Sequence, residues 1–145
     1  MRTLTLTVLA AALWASPAFS QGASAEGVWI LPEDSARIRI SPCANQAGRL
    51  CGTIVSIKPR PPAAGKAAPK TKDGKAPPSA QSMIGRTIMV GFKPNGAGKW
   101  NGGKFQFPGS DRTINATMAM NKDGTLRVNG CVLVMCGGQN WKRAA

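Results

Sequence analysis

The sequence predicts an all-β fold: a small eight-stranded antiparallel up-and-down barrel interrupted by one long Pro/Lys-rich loop. Three observations predict it. Short β-rich runs alternate with turn signals along the chain from Gly27 to Arg143. No segment carries a 3.6-residue apolar period of useful length, so no helix is available to cover an open sheet. The first and last runs carry residues suited to meeting each other, and pairing them would remove both sheet edges. A sandwich fits the first two observations; the third favours the barrel.

The runs follow in order. Gly27–Leu31 is β-rich. Ala36–Ser41 alternates strictly, with Ile38 and Ile40 on one face and Arg37 and Arg39 on the other. Cys51–Ile57 follows a short Gly-containing loop. Ile84–Phe92 ends at a Pro-Asn-Gly turn, Pro94 to Gly96. Lys99–Phe107 is broken by Gly102 and Gly103, which predicts a bulge or sharp bend. Arg112–Met120 sets Ile114, Ala116, Met118 and Met120 on one face. Asn121–Gly124 is a hairpin turn. Thr125–Cys131 and a last strand around Gln139–Arg143 complete the set.

Between the third and fourth runs lies a compositional island, residues 58–82. It holds six of the 11 prolines and six Lys/Arg against the single Asp73. Nothing in it can bury a face, so it reads as an extended, flexible, solvated Pro/Ala/Lys-rich loop carrying a net charge of +5.

Residues 1–20 read as a secretory signal peptide: Arg2, an apolar run from Leu4 to Ala15, then Ala18-Phe19-Ser20. A bilayer span needs about 20 apolar residues, and this run has 12. Cleavage after Ser20 leaves residues 21–145 as a single domain. Ala23-Ser24-Ala25 offers a second site that starts the chain at Glu26. No later stretch could span a membrane as a helix, so the product is expected in the periplasm or outside the cell.

Export bears on the four cysteines, Cys43, Cys51, Cys131 and Cys136. An even number of thiols entering an oxidising compartment favours disulfides. Three pairings are open, and the local one, Cys43–Cys51 with Cys131–Cys136, is preferred. Zinc fits poorly, because structural sites favour C-x₂₋₄-C spacing or histidine and the sequence has no histidine. No metal site and no cofactor fingerprint is read from the chain.

Gly27-x-Trp29 in the first strand and Trp141-Lys142-Arg143 in the last form the candidate barrel closure. An arginine stacked over a tryptophan would plug one end through a cation–π contact, an arrangement similar to that of lipocalin-type barrels. With "RIRISPC", "LCGTIV", "WNGGKF", "KDGTLRVNGCV" and "QNWKR" in order, the chain resembles the exported bacterial family DUF2147. That resemblance implies a small lipocalin-like barrel outside the cytoplasm, and it implies no established chemistry. Three departures mark this chain. The Pro/Lys island replaces a polar Asp-Asn-Pro-type segment, Gln106-Phe107-Pro108 replaces aromatic-Asp-Pro, and Ile114 stands where a tyrosine is common. A second cysteine beside the one often seen in the family supports a second disulfide.

The catalytic inventory is thin. Histidine and tyrosine are absent, and paired cysteines supply no nucleophile. The six carboxylates, Glu26, Glu33, Asp34, Asp73, Asp111 and Asp123, fall mostly in turns. The reading is therefore a binding protein rather than an enzyme. A small barrel holds either side chains or one small ligand. Met89, Ile114, Met118 and Met120 are the candidate pocket lining for an apolar ligand, with plain core filling as the simpler alternative.

The net charge of +13, from 19 basic and 6 acidic residues, makes an anionic envelope component (lipid, lipopolysaccharide or acidic glycan) the alternative partner. Nucleic acid is not expected, for want of a motif and of the right compartment. A hydrolase would need carboxylates converging in one cleft.

Overall fold

In a computed structural model, residues 24–59, 79–106 and 112–145 are described. The expected signal peptide and residues 60–78 of the Pro/Lys-rich segment lie outside them. Eight antiparallel strands form a closed barrel in sequence order: β1 (Gly27–Ile30), β2 (Ala36–Pro42), β3 (Leu50–Ile57), β4 (Thr87–Pro94), β5 (Lys99–Gln106), β6 (Thr113–Met120), β7 (Leu126–Val132) and β8 (Met135–Arg143). Every strand is joined to the next by a connection at one rim, so the connections alternate between two ends. One end carries residues 43–49, 95–98 and 121–125. The other carries residues 31–35, residues 58–59 and 79–86 between β3 and β4, Arg112 before β6, and the β7–β8 turn.

The pattern of two in the sequence becomes the inside and outside of the wall. Ile38 and Ile40 of β2, Leu50 and Ile54 of β3, Trp100 of β5, Ala116 and Met118 of β6, and Leu126 and Val128 of β7 are buried. Arg37 and Arg39 face solvent. The glycine break in β5 is a bulge: the β5–β6 register shifts between Trp100 and Gly103, and Gly102 takes φ +65°. Gly103 has a packing role as well. A Cβ there would lie 2.5 Å from the Phe92 ring, so only glycine lets that buried ring lie against the strand.

Several boundaries differ from the sequence reading. The last residues of the Pro/Lys-rich segment are helical rather than extended: Ala80–Met83 forms one turn of helix, α1, with the Ser79 side chain accepting from the Ser82 amide at 3.2 Å. β4 consequently starts at Thr87 rather than Ile84. β8 starts at Met135 rather than near Gln139, because the Cys131–Cys136 bridge holds the two strands together out to a two-residue turn. A 3₁₀ turn, Pro32–Asp34, joins β1 to β2; within it Asp34 meets Arg37 at 3.5 Å and Lys58 at 3.6 Å. These ion pairs are exposed and contribute little.

Candidate functional site

The end of the barrel where β1 begins and β8 finishes is sealed. Trp29 pairs with Arg143 across the β1–β8 seam, and the guanidinium carbon lies 4.3 Å from the centroid of the Trp29 ring. The arginine fork is fully used: Nη1 donates to the Glu26 carbonyl and Nη2 to the Ser24 carbonyl, both at 2.7 Å. The Trp29 indole N–H donates to the Ala25 carbonyl at 2.7 Å, and both Trp29 and Ala25 are wholly buried. Residues 24–26 thus form a plug tied down by three charge-assisted or buried bonds. Gly27, at φ +127°, is required there, since a Cβ would come within 2.8 Å of Arg143 Nη1.

The seam is short. β1 has four residues and β8 nine, and only Trp29–Arg143 and Ile30–Lys142 pair. Toward the other end, β8 from Met135 to Asn140 has no β1 partner among the described residues. Along this stretch lies a cavity of about 500 Å³. Ala116, Val128 and Trp141 form its buried floor, with Leu31, Phe105 and Ile114 beside them. Gly137, Gly138 and Gln139 form an exposed rim. Phe105 packs edge-on against Trp141, with centroids 6.4 Å apart, and the Trp141 indole N–H donates to Gln139 Oε1 at 3.5 Å. The polar side chain at this cavity is that of Gln139; Asn129 borders it from the wall, its Oδ1 accepting from Arg127 Nε at 3.1 Å on the face opposite Val128, and none of the described carboxylates or cations lines it.

The sequence-derived candidates therefore separate. Ile114 lines the cavity. Met89 and Met118 are buried in the core with Phe92 and Trp100, and Met120 packs on that core partly buried; none of the three borders this cavity. All four cysteines are paired, Cys43–Cys51 and Cys131–Cys136, and among the described residues no cysteine is free. The two bridges sit at opposite ends of the barrel, and such bonds are characteristic of an oxidising, extracytoplasmic compartment.

No group of three or more His, Cys, Asp or Glu among the described residues converges on a metal-sized site. Glu33 and Asp34 lie at the cavity end, Glu26 and Asp123 at the sealed end. Sequence reasoning missed the cavity rim. The signal was present in Gly137-Gly138-Gln139, two glycines and an amide in a strand whose next inward residue is a tryptophan.

Residues 27–143 match the sequence model of a family described as uncharacterized protein conserved in bacteria, DUF2147. The chain belongs to the DUF2147 family. Among curated proteins, none matches it. A solved structure, protein HP1028 from the human pathogen Helicobacter pylori, which is described as belonging to the lipocalin family, is similar with a TM-score of 0.56. The likeness covers 83% of this chain and 82% of that one at 17% identity. At that identity the likeness is one of fold, and it makes this DUF2147 barrel lipocalin-like.

Proposed function

We propose that this DUF2147 protein is an exported, non-catalytic lipocalin-like barrel that binds one small apolar molecule in the cavity beside β8. The observation that carries the reading is the cavity itself: about 500 Å³, apolar on its floor, and rimmed by glycines that keep its mouth unobstructed. Ligand sites of this kind commonly enclose about 300–1,000 Å³ and use a few polar groups to orient the occupant. Gln139 is that group here. The absence of a charged lining favours a neutral or weakly polar ligand over an ionic one.

The compartment is the periplasm or the exterior, reached by a signal peptide cleaved after Ser20. The plug supports that position over the alternative after Ala25. Cutting after Ala25 would remove the buried Ala25 side chain and the carbonyls that accept from Trp29 and Arg143. The mature N-terminus measured by mass is expected at Gln21.

The binding test uses the fluorescent apolar probe N-phenyl-1-naphthylamine. The protein is expected to enhance its emission saturably at one site per chain. Gly137→Leu is the decisive variant: a Cβ at Gly137 meets no atom within 4 Å, so the side chain enters the cavity without strain. It should abolish probe uptake while leaving the thermal transition in place. Equal uptake by wild type and variant would remove the cavity as the binding site.

A further inference from the structure

The β7–β8 hairpin ends in Val132-Leu133-Val134-Met135. These residues are 56, 96, 96 and 78% exposed, and they are four of the five large hydrophobic residues exposed among the described residues. Scattered exposed apolar residues are ordinary, whereas four in succession at one point are not. Val132 pairs with Met135, so Leu133 and Val134 alone make the turn, with the Cys131–Cys136 bridge directly beneath and its Cα atoms 4.0 Å apart.

The turn residues oppose the local rules of folding. Leu133 has φ +55°, a conformation for which hairpin turns favour glycine or asparagine. A leucine there is disfavoured by the backbone and gains nothing from burial. Two unfavourable choices at the same residue, in a turn clipped by a disulfide, point to a use outside folding.

The tip is convex, so it needs a medium to enter rather than a pocket to fill. Charge identifies the medium. Without Arg2 the chain carries +12, and the described cations at the same end are Arg37, Lys58, Arg86, Lys104 and Arg112, against Glu33 and Asp34, the latter paired with Arg37 and Lys58. Lys104 lies in register with the disulfide through Asn115, which pairs with both Lys104 and Cys131. A second copy would bring like-charged surfaces together. An anionic bilayer offers hydrocarbon to the apolar side chains and phosphate to the cations.

We propose that the disulfide-clipped tip of the β7–β8 hairpin is a membrane-docking element that inserts Leu133 and Val134, flanked by Val132 and Met135, into the surface of an anionic lipid bilayer. The bridge holds the four side chains in the presenting geometry. The same strand bears Gly137 and Gln139 of the cavity rim, so docking brings the mouth of the cavity to the lipid surface. The docking itself does not depend on what the cavity holds.

The test uses disulfide-intact protein recovered from cells expressing the full-length chain. It is sedimented with vesicles of phosphatidylglycerol and phosphatidylethanolamine, and with vesicles of phosphatidylcholine alone. Wild type is expected to bind the anionic vesicles, to bind the neutral ones more weakly, and to keep part of its binding at high salt because the apolar contribution is unscreened. The double variant Leu133→Asn/Val134→Ser removes the apolar tip with residues that suit the turn, so the fold should hold. Its partitioning should fall on the order of a hundredfold, from two apolar side chains no longer buried.

Val134→Trp should show a blue-shifted emission with vesicles and quenching by lipids brominated in the acyl chains. Binding by the double variant equal to wild type would show attachment by charge alone and overturn the proposal. So would the absence of binding to either vesicle, or a concentration-dependent dimer that the double variant abolishes.

Discussion

The two ends of this barrel treat apolar surface in opposite ways. At the sealed end, Trp29 is wholly buried, its indole N–H is bonded, and Arg143 closes the seam with both arms of its guanidinium engaged. The Trp29 indole N–H and both Nη atoms of Arg143 all have backbone acceptors. At the other end β1 stops after four residues, β8 from Met135 to Asn140 pairs with β7 but not with β1, and the strands enclose a cavity in place of a packed core. The same contrast appears in the two turns of β7. Residues 121–125 follow turn chemistry closely, with Asp123 accepting from both the amide and the hydroxyl of Thr125. Leu133 and Val134 disregard it. Local sequence agrees with the fold at one end and departs from it at the other, and such departures are where binding functions are expected.

The largest effect that would sharpen the comparison is at the plug. Trp29→Ala removes a fully buried indole and the platform for Arg143, and should cost about 3–5 kcal/mol in urea-unfolding stability. Gly137→Leu at the open end should cost almost nothing by the same measurement. A loss under about 1 kcal/mol for Trp29→Ala, well below the usual cost of deleting a core tryptophan, would break the contrast.

The disulfides come next. Replacing Cys43 and Cys51 together by serine, or Cys131 and Cys136 together, should each lower stability by about 2–3 kcal/mol from loop-closure entropy. The two variants part in function: only loss of the Cys131–Cys136 clip should weaken vesicle binding. Smaller still is Arg143→Lys, which keeps the charge but cannot donate to the Ser24 and Glu26 carbonyls in fork geometry. A cost of about 1 kcal/mol is expected by urea unfolding.

Much of the frame was legible because it rests on local rules. Alternation in Ala36–Ser41, the glycine break in Lys99–Phe107 and the Asn121–Gly124 turn each carry their meaning within a few residues. The cysteine pairing and the Trp29–Arg143 contact were legible for a different reason: compartment and edge closure leave few alternatives. The cavity was not. Whether an inward methionine fills a core or borders a space depends on the register of β4, β5 and β6, and the bulge at Gly102 and Gly103 shifts that register. Met118 sits opposite Trp100 ahead of that shift and Met89 follows the irregular β3–β4 register, so both lie in the core, and of the four candidates Ile114 alone reaches the cavity. The exposed tip was overlooked although its signal is plain in retrospect. A six-residue stretch with a cysteine at each end leaves its apolar middle nowhere to go but outward.

The smallest effect concerns the well-formed turn. Asp123 is held below the ordinary carboxylate value of 3.8, first by the Thr125 hydroxyl and then by the Thr125 amide, which donate to Oδ1 at 2.6 and 2.9 Å. A carboxyl whose folded-state pKa is depressed adds stability that is present above its unfolded value and is lost as pH falls through the folded value. Acidification below about pH 3.8 should therefore loosen residues 121–125. The Leu133–Val134 turn, which has no titrating group and is clipped by a disulfide, should not respond. Amide exchange followed by NMR reads both ends of β7 in one experiment. Protection at Thr125 should decline with acid in wild type, while in Asp123→Asn it should be lower at neutral pH and insensitive to acid. If protection at Thr125 holds steady through the titration in wild type, the carboxylate does not organise this turn and the chemical contrast between the two ends of β7 is lost.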